Sequence, residues 1–353
     1  MADQRWGGPA ILVEDLRKSF GEVAALRGID FVVEKATVLG VLGPNGAGKT
    51  TAVRILTTLL APDGGRALVQ GFDVVQSPEA VREVIGLAGQ SAAIQDELTG
   101  RENLEIIGRL YHLGKGASIS RAAELLERFD LADSADRPAK TYSGGMQRRL
   151  DLAASLVARP SVLFLDEPTI GLDPRSRNAM WQVARDLVAE GTTLLLTTQY
   201  LDEADELADE ILVIDHGQVI GAGTSETLKD RIGGDVVEFI VTNRLRLADA
   251  AAAVSGLSDT PPTIDVDSAH ISIRVGNRGS RALVEAVRAL DAAGIETEGL
   301  GVRRPSLDEV FLTLTGHAAE ERTEGEGATK GRGRQRHPKQ QAGALGAGEG
   351  SDR

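Results

Sequence analysis

The stretch Gly43 to Thr51 reads GPNGAGKTT, the spacing of a loop that cradles phosphate. Gly43, Gly46 and Gly48 let the backbone turn tightly, so that its N–H groups converge on an anion. Lys49 supplies a point charge for the phosphates, and the Thr50 hydroxyl is placed to hold Mg2+. Pro44, Asn45, Ala47 and Thr51 complete the loop and join the predicted nucleotide contacts. Farther on, Val162-Leu163-Phe164-Leu165 ends in Asp166-Glu167. A carboxylate at the C-terminal end of such a strand can reach the Mg2+ shell, and Glu167 beside it is the natural base for an attacking water. Between the two lies Ser143-Gly144-Gly145, ahead of a helix carrying Met146, Leu150, Ala153 and Leu156. Ser143 can cap that helix, and the glycines bare N–H donors at its positive end, which attracts an anion. The chain already has one phosphate cradle, so a second serves a nucleotide bound by another copy. That predicts a head-to-tail homodimer with two ATP molecules sandwiched between facing copies.

These groups need elements to hold them. The run Val38 to Leu42 enters the loop as a strand, and Ala52, Val53, Ile55 and Leu56 leave it with helical spacing. Ile11 to Leu16 alternates as a strand, Pro62 to Gly65 is a turn before strand Ala67 to Val69, and Ile85 to Ala88 is a strand ending near Gln90. Periodicity is helical from Glu102 to Val157. The uninterrupted apolar run before Asp166 is that of a strand covered on both faces. A helix through Met180, Val183 and Leu187, a strand Thr193 to Thr197, and strands Ile211 to Ile214 and Val219-Ile220 close the first domain, 1–233.

Past Gly233-Gly234 the order becomes strand, helix, strand, strand, helix, strand, that of a split βαβ, ferredoxin-like unit over 234–316. A last helix begins at Pro305-Ser306-Leu307-Asp308-Glu309, with Ser306 and Glu309 spaced as a capping box. It is expected to pack on this terminal domain. From residue 317 to 353 the chain is Gly, Glu, Arg and Gln with almost no large apolar residue, which predicts a disordered tail.

The 353 residues are 42% hydrophobic with few aromatics, as in an α/β protein with an aliphatic core. No stretch is long and apolar enough for a membrane span, and the N-terminus lacks a signal-peptide core, so the expected place is the cytosolic side. The absence of cysteine excludes disulfides and thiolate zinc sites. His112, His216, His270, His317 and His337 are scattered without metal-ligand spacing. A net charge of −13 disfavours nucleic acid as a partner.

With these motifs in order, the chain from Ile11 to about Gly223 resembles the ATP-binding cassette family. The resemblance implies a P-loop NTPase cassette with a mostly parallel sheet, an N-terminal β-subdomain and a helical subdomain at about 91–158. GPNGAGKTT looks like Walker A, Gln90 the Q-loop, YSGGM the signature, VLFLDEP Walker B and Gly171-Leu172-Asp173 the D-loop. It further implies Mg2+ held by Thr50, Gln90 and Asp166, adenine stacked on Phe20, and nucleotide contacts from Ser143, Gly144, Gly145 and Asp173. YSGGMQRR and the later LDEVFL are similar to the daunorubicin-resistance-type ATPase subunits, whose permease is a separate polypeptide. By that resemblance the chain hydrolyses ATP at the cytoplasmic face of the membrane and drives an integral-membrane permease that exports a drug or antibiotic. The permease should dock on a face made by Ile94, Leu98 and the helix from Glu102, with Glu97 nearby. A soluble cassette acting as a regulator or on ribosomes or DNA is the alternative. Two departures stand out. Tyr142 and Met146 replace the usual signature residues, and Gln199 occupies the switch position where relatives have histidine. A glutamine amide can donate to the γ-phosphate but cannot carry charge, which predicts slow basal hydrolysis.

Overall fold

A computed structural model describes residues 6–89 and 94–316. Gln90 and the predicted tail lie outside the described residues. β1 (Ile11–Phe20) and β2 (Val23–Val33) form an antiparallel hairpin. β3 (Val38–Leu42) follows, buried along its whole length, and runs through the glycine loop into α1 (Lys49–Leu56). β4 (Gly64–Val69) and β5 (Phe72–Asp73) return to the hairpin, giving a sheet ordered β2-β1-β4-β5. α2 (Pro78–Val84) leads into β6 (Ile85–Ala88), after which come α3 (Gly100–Leu110), α4 (Lys115–Arg128) and α5 (Gly144–Ser155). β7 (Val162–Asp166), α6 (Pro174–Ala189), β8 (Thr193–Thr198), α7 (Leu201–Leu207), β9 (Glu210–Asp215) and β10 (Gln218–Gly223) complete the first region.

The second sheet is ordered β10-β9-β3-β8-β7-β6, parallel except at its β10 edge. Its strands read as continuous apolar runs because layers cover both faces. On one side Ile11, Leu16, Val53, Ile55 and Val69 fill the space toward the hairpin sheet. On the other Leu104, Leu125, Leu150, Leu163 and Leu194 join the sheet to the helices. Register sets Leu42 and Asp166 opposite Thr198 and Thr197 respectively, so β3, β7 and β8 end at one level. Ligands of open parallel sheets bind beyond that edge.

α8 (Ser225–Arg231) leads to β11 (Asp235–Val241), α9 (Leu247–Val254), β12 (Thr263–Asp265), β13 (His270–Gly276), α10 (Gly279–Ala292), β14 (Thr297–Arg303) and α11 (Leu307–Thr315). The sheet order β12-β13-β11-β14, antiparallel throughout, is that of a split βαβ unit. Val237, Phe239, Ile271, Ile273, Ala286 and Leu290 give it its own core.

One expectation is overturned. α11 does not pack on the terminal domain. Leu307, Val310 and Phe311 sit among Leu42, Leu201, Ile211, Val213 and Leu228 of the first region. Spacing of three and four residues identifies a helix's apolar face but not its target. α9 and α10 already fill the terminal sheet's apolar face, whereas β10, α7 and α8 leave an apolar surface for α11. The capping box is also half made. Ser306 Oγ accepts from Glu309 N at 3.3 Å, but the Glu309 carboxylate turns to Arg303 at 2.8 and 3.0 Å.

Candidate active site

The phosphate loop is shaped by contacts that only glycine permits. A Cβ on Gly43 would lie 2.2 Å from the Ile214 carbonyl oxygen, and one on Gly48 2.5 Å from that of Ala25. Gly46 and Gly48 have φ of 82° and 112°, where an L side chain is strained. Ala47 O accepts from Gly217 N at 3.0 Å, tying the loop to the β9–β10 turn. Lys49 begins α1 with its ammonium buried, donating to Gly43 O at 2.7 Å and Pro44 O at 3.2 Å. Its Nζ is 3.9 Å from Glu167 Oε1. A cation held by the loop's own carbonyls beside a carboxylate is positioned to meet phosphate oxygens.

Asp166 and Glu167 are both buried at the end of β7. Asp166 Oδ1 accepts from the Thr50 hydroxyl at 3.3 Å and from that of Thr197 at 2.5 Å. A hydroxyl and a carboxylate converging on one point suit a hard cation such as Mg2+, so these two residues fit the group expected there. Glu167 has φ of 54°, a left-handed backbone that costs roughly 1–3 kcal/mol for a residue with a side chain. Hydrogen bonds on both sides of the residue hold it there. Its N–H meets Thr197 O at 3.0 Å, and its own carbonyl accepts from Arg148 Nη2 at 2.8 Å. Gln199 leaves β8 two residues after Thr197, and its Oε1 is buried without a hydrogen-bond partner. An amide with an end unused by the fold suits a ligand contact.

The remaining expected residues sit apart from this cluster. Phe20 ends β1 at the hairpin tip, half-exposed, with Lys18 Nζ 5.8 Å from its ring centre. Ser143 caps α5, its Oγ accepting from Met146 N at 3.3 Å, and Ser143 and Gly144 are exposed. α5 packs on α3, α4 and β6, so its start belongs to the helical layer. Tyr142 is buried, with its hydroxyl donating to Ser134 O at 2.7 Å. A Cβ on Gly100 would lie 2.3 Å from the Tyr142 hydroxyl oxygen, so the larger ring is accommodated by a glycine opposite it. Asp173 caps α6. Its oxygens take Ser176 N at 3.0 Å and Ser176 Oγ at 2.6 Å, which holds its carboxyl below the usual range.

Sequence reasoning missed two buried groups behind the site. Arg148 reaches four backbone carbonyls from α5, and burial pulls its guanidinium down, opposed by the charge of Asp151. Glu203 is fully buried on α7, accepting from Trp181 Nε1 at 3.1 Å, and burial pushes its carboxyl up. Both look like solvated charges in the sequence, and nothing there marks them as buried. The expected docking face also changes character. Ile94 joins the helical core, Glu97 pairs with Lys140 at 2.7 Å, and Glu102 is spent on a capping box with Thr99. The exposed apolar side chains are instead Ile106, Leu110, Tyr111 and Leu113, where α3 turns toward α4.

Residues 26–170 match the family described as ABC transporter. The chain is 53% identical over 313 residues to a daunorubicin resistance ATP-binding protein of Streptomyces coeruleorubidus, covering 89% of this chain and 97% of that one. It is 48% identical over 321 residues to a daunorubicin/doxorubicin resistance ATP-binding protein of Streptomyces peucetius, covering 90% and 96%. Among solved structures, an ATP-binding subunit of an ABC transporter is similar at a TM-score of 0.59 and 26% identity, covering 64% of this chain and 93% of that one. These matches speak for a transport ATPase and against the regulator alternative.

Proposed function

The chain belongs to the ABC transporter family as one of its ATPase subunits, and from that premise we propose that it drives export of a drug, antibiotic or similar hydrophobic compound through a separate integral-membrane permease. The observation that carries the site assignment is the convergence of Lys49, Thr50, Asp166 and Glu167 where β3 and β7 end. Residues 43–51 bind the phosphates of ATP, with Lys49 countering charge on the β- and γ-phosphates. Glu167 takes a proton from the attacking water, and Gln199 donates to the γ-phosphate. Thr50 and Asp166, with Gln90 as a further group, would hold Mg2+, which would supply charge neutralisation at the phosphates. Phe20 stacks on adenine.

The exposed start of α5 supports a second phosphate contact in trans, so two copies close head to tail around two ATP molecules. Among the described residues no helix is long and apolar enough to cross a membrane, which supports attachment through the permease at the cytoplasmic face. The apolar corner at Ile106, Leu110 and Tyr111 is a surface for that partner to cover.

The test is drug export by cells making the chain with its permease, alongside ATPase activity of the pair. Lys49→Ala should lower turnover on the order of 10²–10³-fold, as loss of one charge-stabilising donor does, and should abolish export. Near-normal turnover would overturn the site. Mixing Lys49→Ala with Ser143→Arg should restore one composite site per heterodimer. Proven heterodimers no more active than either variant would overturn the sandwich.

A further inference from the structure

Arg148 stands on α5 five residues after Ser143, which at about 1.5 Å of rise per residue is within two helical turns of the exposed helix start. Its Nε donates to Pro168 O at 2.8 Å, Nη1 to Gly89 O at 2.7 Å, and Nη2 to Glu167 O at 2.8 Å and Asp166 O at 3.3 Å. Every one of these acceptors is a backbone carbonyl of a chemically important segment. Residues 166–168 carry the metal-binding carboxylate and the base, and Gly89 directly precedes Gln90. The nearest carboxylate, Asp151, is 3.6 Å from Nη1.

This arrangement is more than a satisfied arginine. β7 ends at Asp166, and the left-handed backbone at Glu167 turns the chain out of the strand. A planar guanidinium holds its donors in a rigid fork and so fixes several carbonyls in one set geometry, where a lysine ammonium is a point charge on a flexible stem. Between α5 and residues 170–172 lies a cavity of about 310 Å3, lined by Gly89, Gly144, Arg148, Glu167 and Leu172 among others. Arg148 spans from the helix to the catalytic loop beside this space.

We propose that Arg148 is a positioning residue that links the helix start at Ser143–Gly145, which meets the partner copy's nucleotide, to the backbone of Glu167, so that each active site is set by the nucleotide in the other. This rests on the head-to-tail sandwich proposed above. ATP gripped by α5 draws that helix, and the guanidinium carries the displacement to the base and to the residue before Gln90. The two sites then fire together.

Arg148→Met keeps an unbranched stem and removes every donor. In the full chain, kcat should fall on the order of 10²-fold, the cost of about 1 Å of misplacement at a reacting group. The ATP concentration for half-maximal rate should change less than about twofold, since uniform binding is untouched, and the ATP dependence, which the proposal expects to be sigmoidal in the wild type, should become hyperbolic. A merely structural role would reduce the amount of folded protein but leave kcat per folded site and the sigmoidal curve intact. ATP-driven dimerisation of Glu167→Gln, followed by size-exclusion chromatography, tests the sandwich separately. If that variant stays monomeric, the sandwich falls and this inference with it. If it dimerises while Arg148→Met keeps wild-type kcat and cooperativity, only the Arg148 inference is overturned. Should Arg148→Met fail to fold, Arg148→Lys carries the same test. A lysine lacks the fork, so kcat should fall about tenfold with cooperativity weakened, and wild-type behaviour there overturns the proposal.

Discussion

The ends of β3, β7 and β8 and the terminal four-stranded domain handle charge in opposite ways. In the first, Lys49, Asp166 and Glu167 are 4%, 6% and 7% exposed and are held by hydroxyls, loop carbonyls and strained backbone. In the second, Arg303 of β14 bonds Glu238 of β11 at 2.7 Å and reaches out to Glu309 of α11 at 2.8 Å, and each side chain keeps about a third of its surface in water. Charges left in water and matched to one another contribute modestly to stability. Charges taken out of water and aimed at one place cost stability, and a fold retains them where a ligand completes the set. The contrast separates a region built for chemistry from one built to stand.

The comparison breaks most sharply at Glu167. Glu167→Gln keeps shape and both proposed phosphate contacts but removes the proposed base, so hydrolysis should slow about 10²–10⁴-fold while stability is held. Phosphate release at saturating ATP, read beside thermal unfolding, checks this. An unfolding change as large as the rate change would mean that Glu167 is structural.

Phe311→Ala tests to which of the two regions α11 belongs. Phe311 is 4% exposed among side chains of β3, α7 and β9, and truncating a buried phenylalanine costs about 3–5 kcal/mol. The loss should appear in the unfolding transition that ATP shifts, because α11 packs on the region that holds the phosphate loop. Loss confined to a transition insensitive to ATP would return α11 to the terminal domain.

Gln199→His adds a group able to carry charge where the amide now sits. A charge-assisted hydrogen bond exceeds a neutral one by about 1 kcal/mol, which is about fivefold in rate. Basal ATPase should rise by that factor, and more at pH 6 than at pH 8 because histidine must be protonated. An unchanged rate would place Gln199 outside the chemistry.

Arg303→Met should have the smallest effect, at most about 1 kcal/mol for a partly exposed pair, with no change in ATPase rate. The Arg303 hydrogen bond holds the Glu309 carboxyl below its ordinary value. The stabilisation is therefore present above the ordinary glutamate range and is lost as pH falls through the folded value. Urea midpoints of wild type and variant should differ at pH 7 and converge in acid, once the pH has fallen through the lowered folded value. A gap that widened in acid would contradict the pairing.

The phosphate loop was readable because its chemistry is contiguous. Backbone N–H groups, lysine and hydroxyl fall within residues 43–51, and a strand before and a helix after are local patterns. Asp166 and Glu167 were readable because a buried strand ends in acids, and Ser143 because a cap followed by glycines is a local feature. The βαββαβ order carried the terminal fold, since only a few topologies accept that alternation. Amino-acid types at short range thus determined the reaction and the kinds of layers.

Tertiary structure decided what each long side chain reaches. Arg148 and Glu203 are polar residues in amphipathic stretches, and the sequence has no way to tell a buried fork on carbonyls or a buried carboxyl from a solvated charge. Nor could helical spacing say that Leu307, Val310 and Phe311 cross back to β3, α7 and α8. Periodicity states that a face must be covered. What covers it depends on which surfaces the other layers leave open, and that is settled only when sheets and helices have packed against one another.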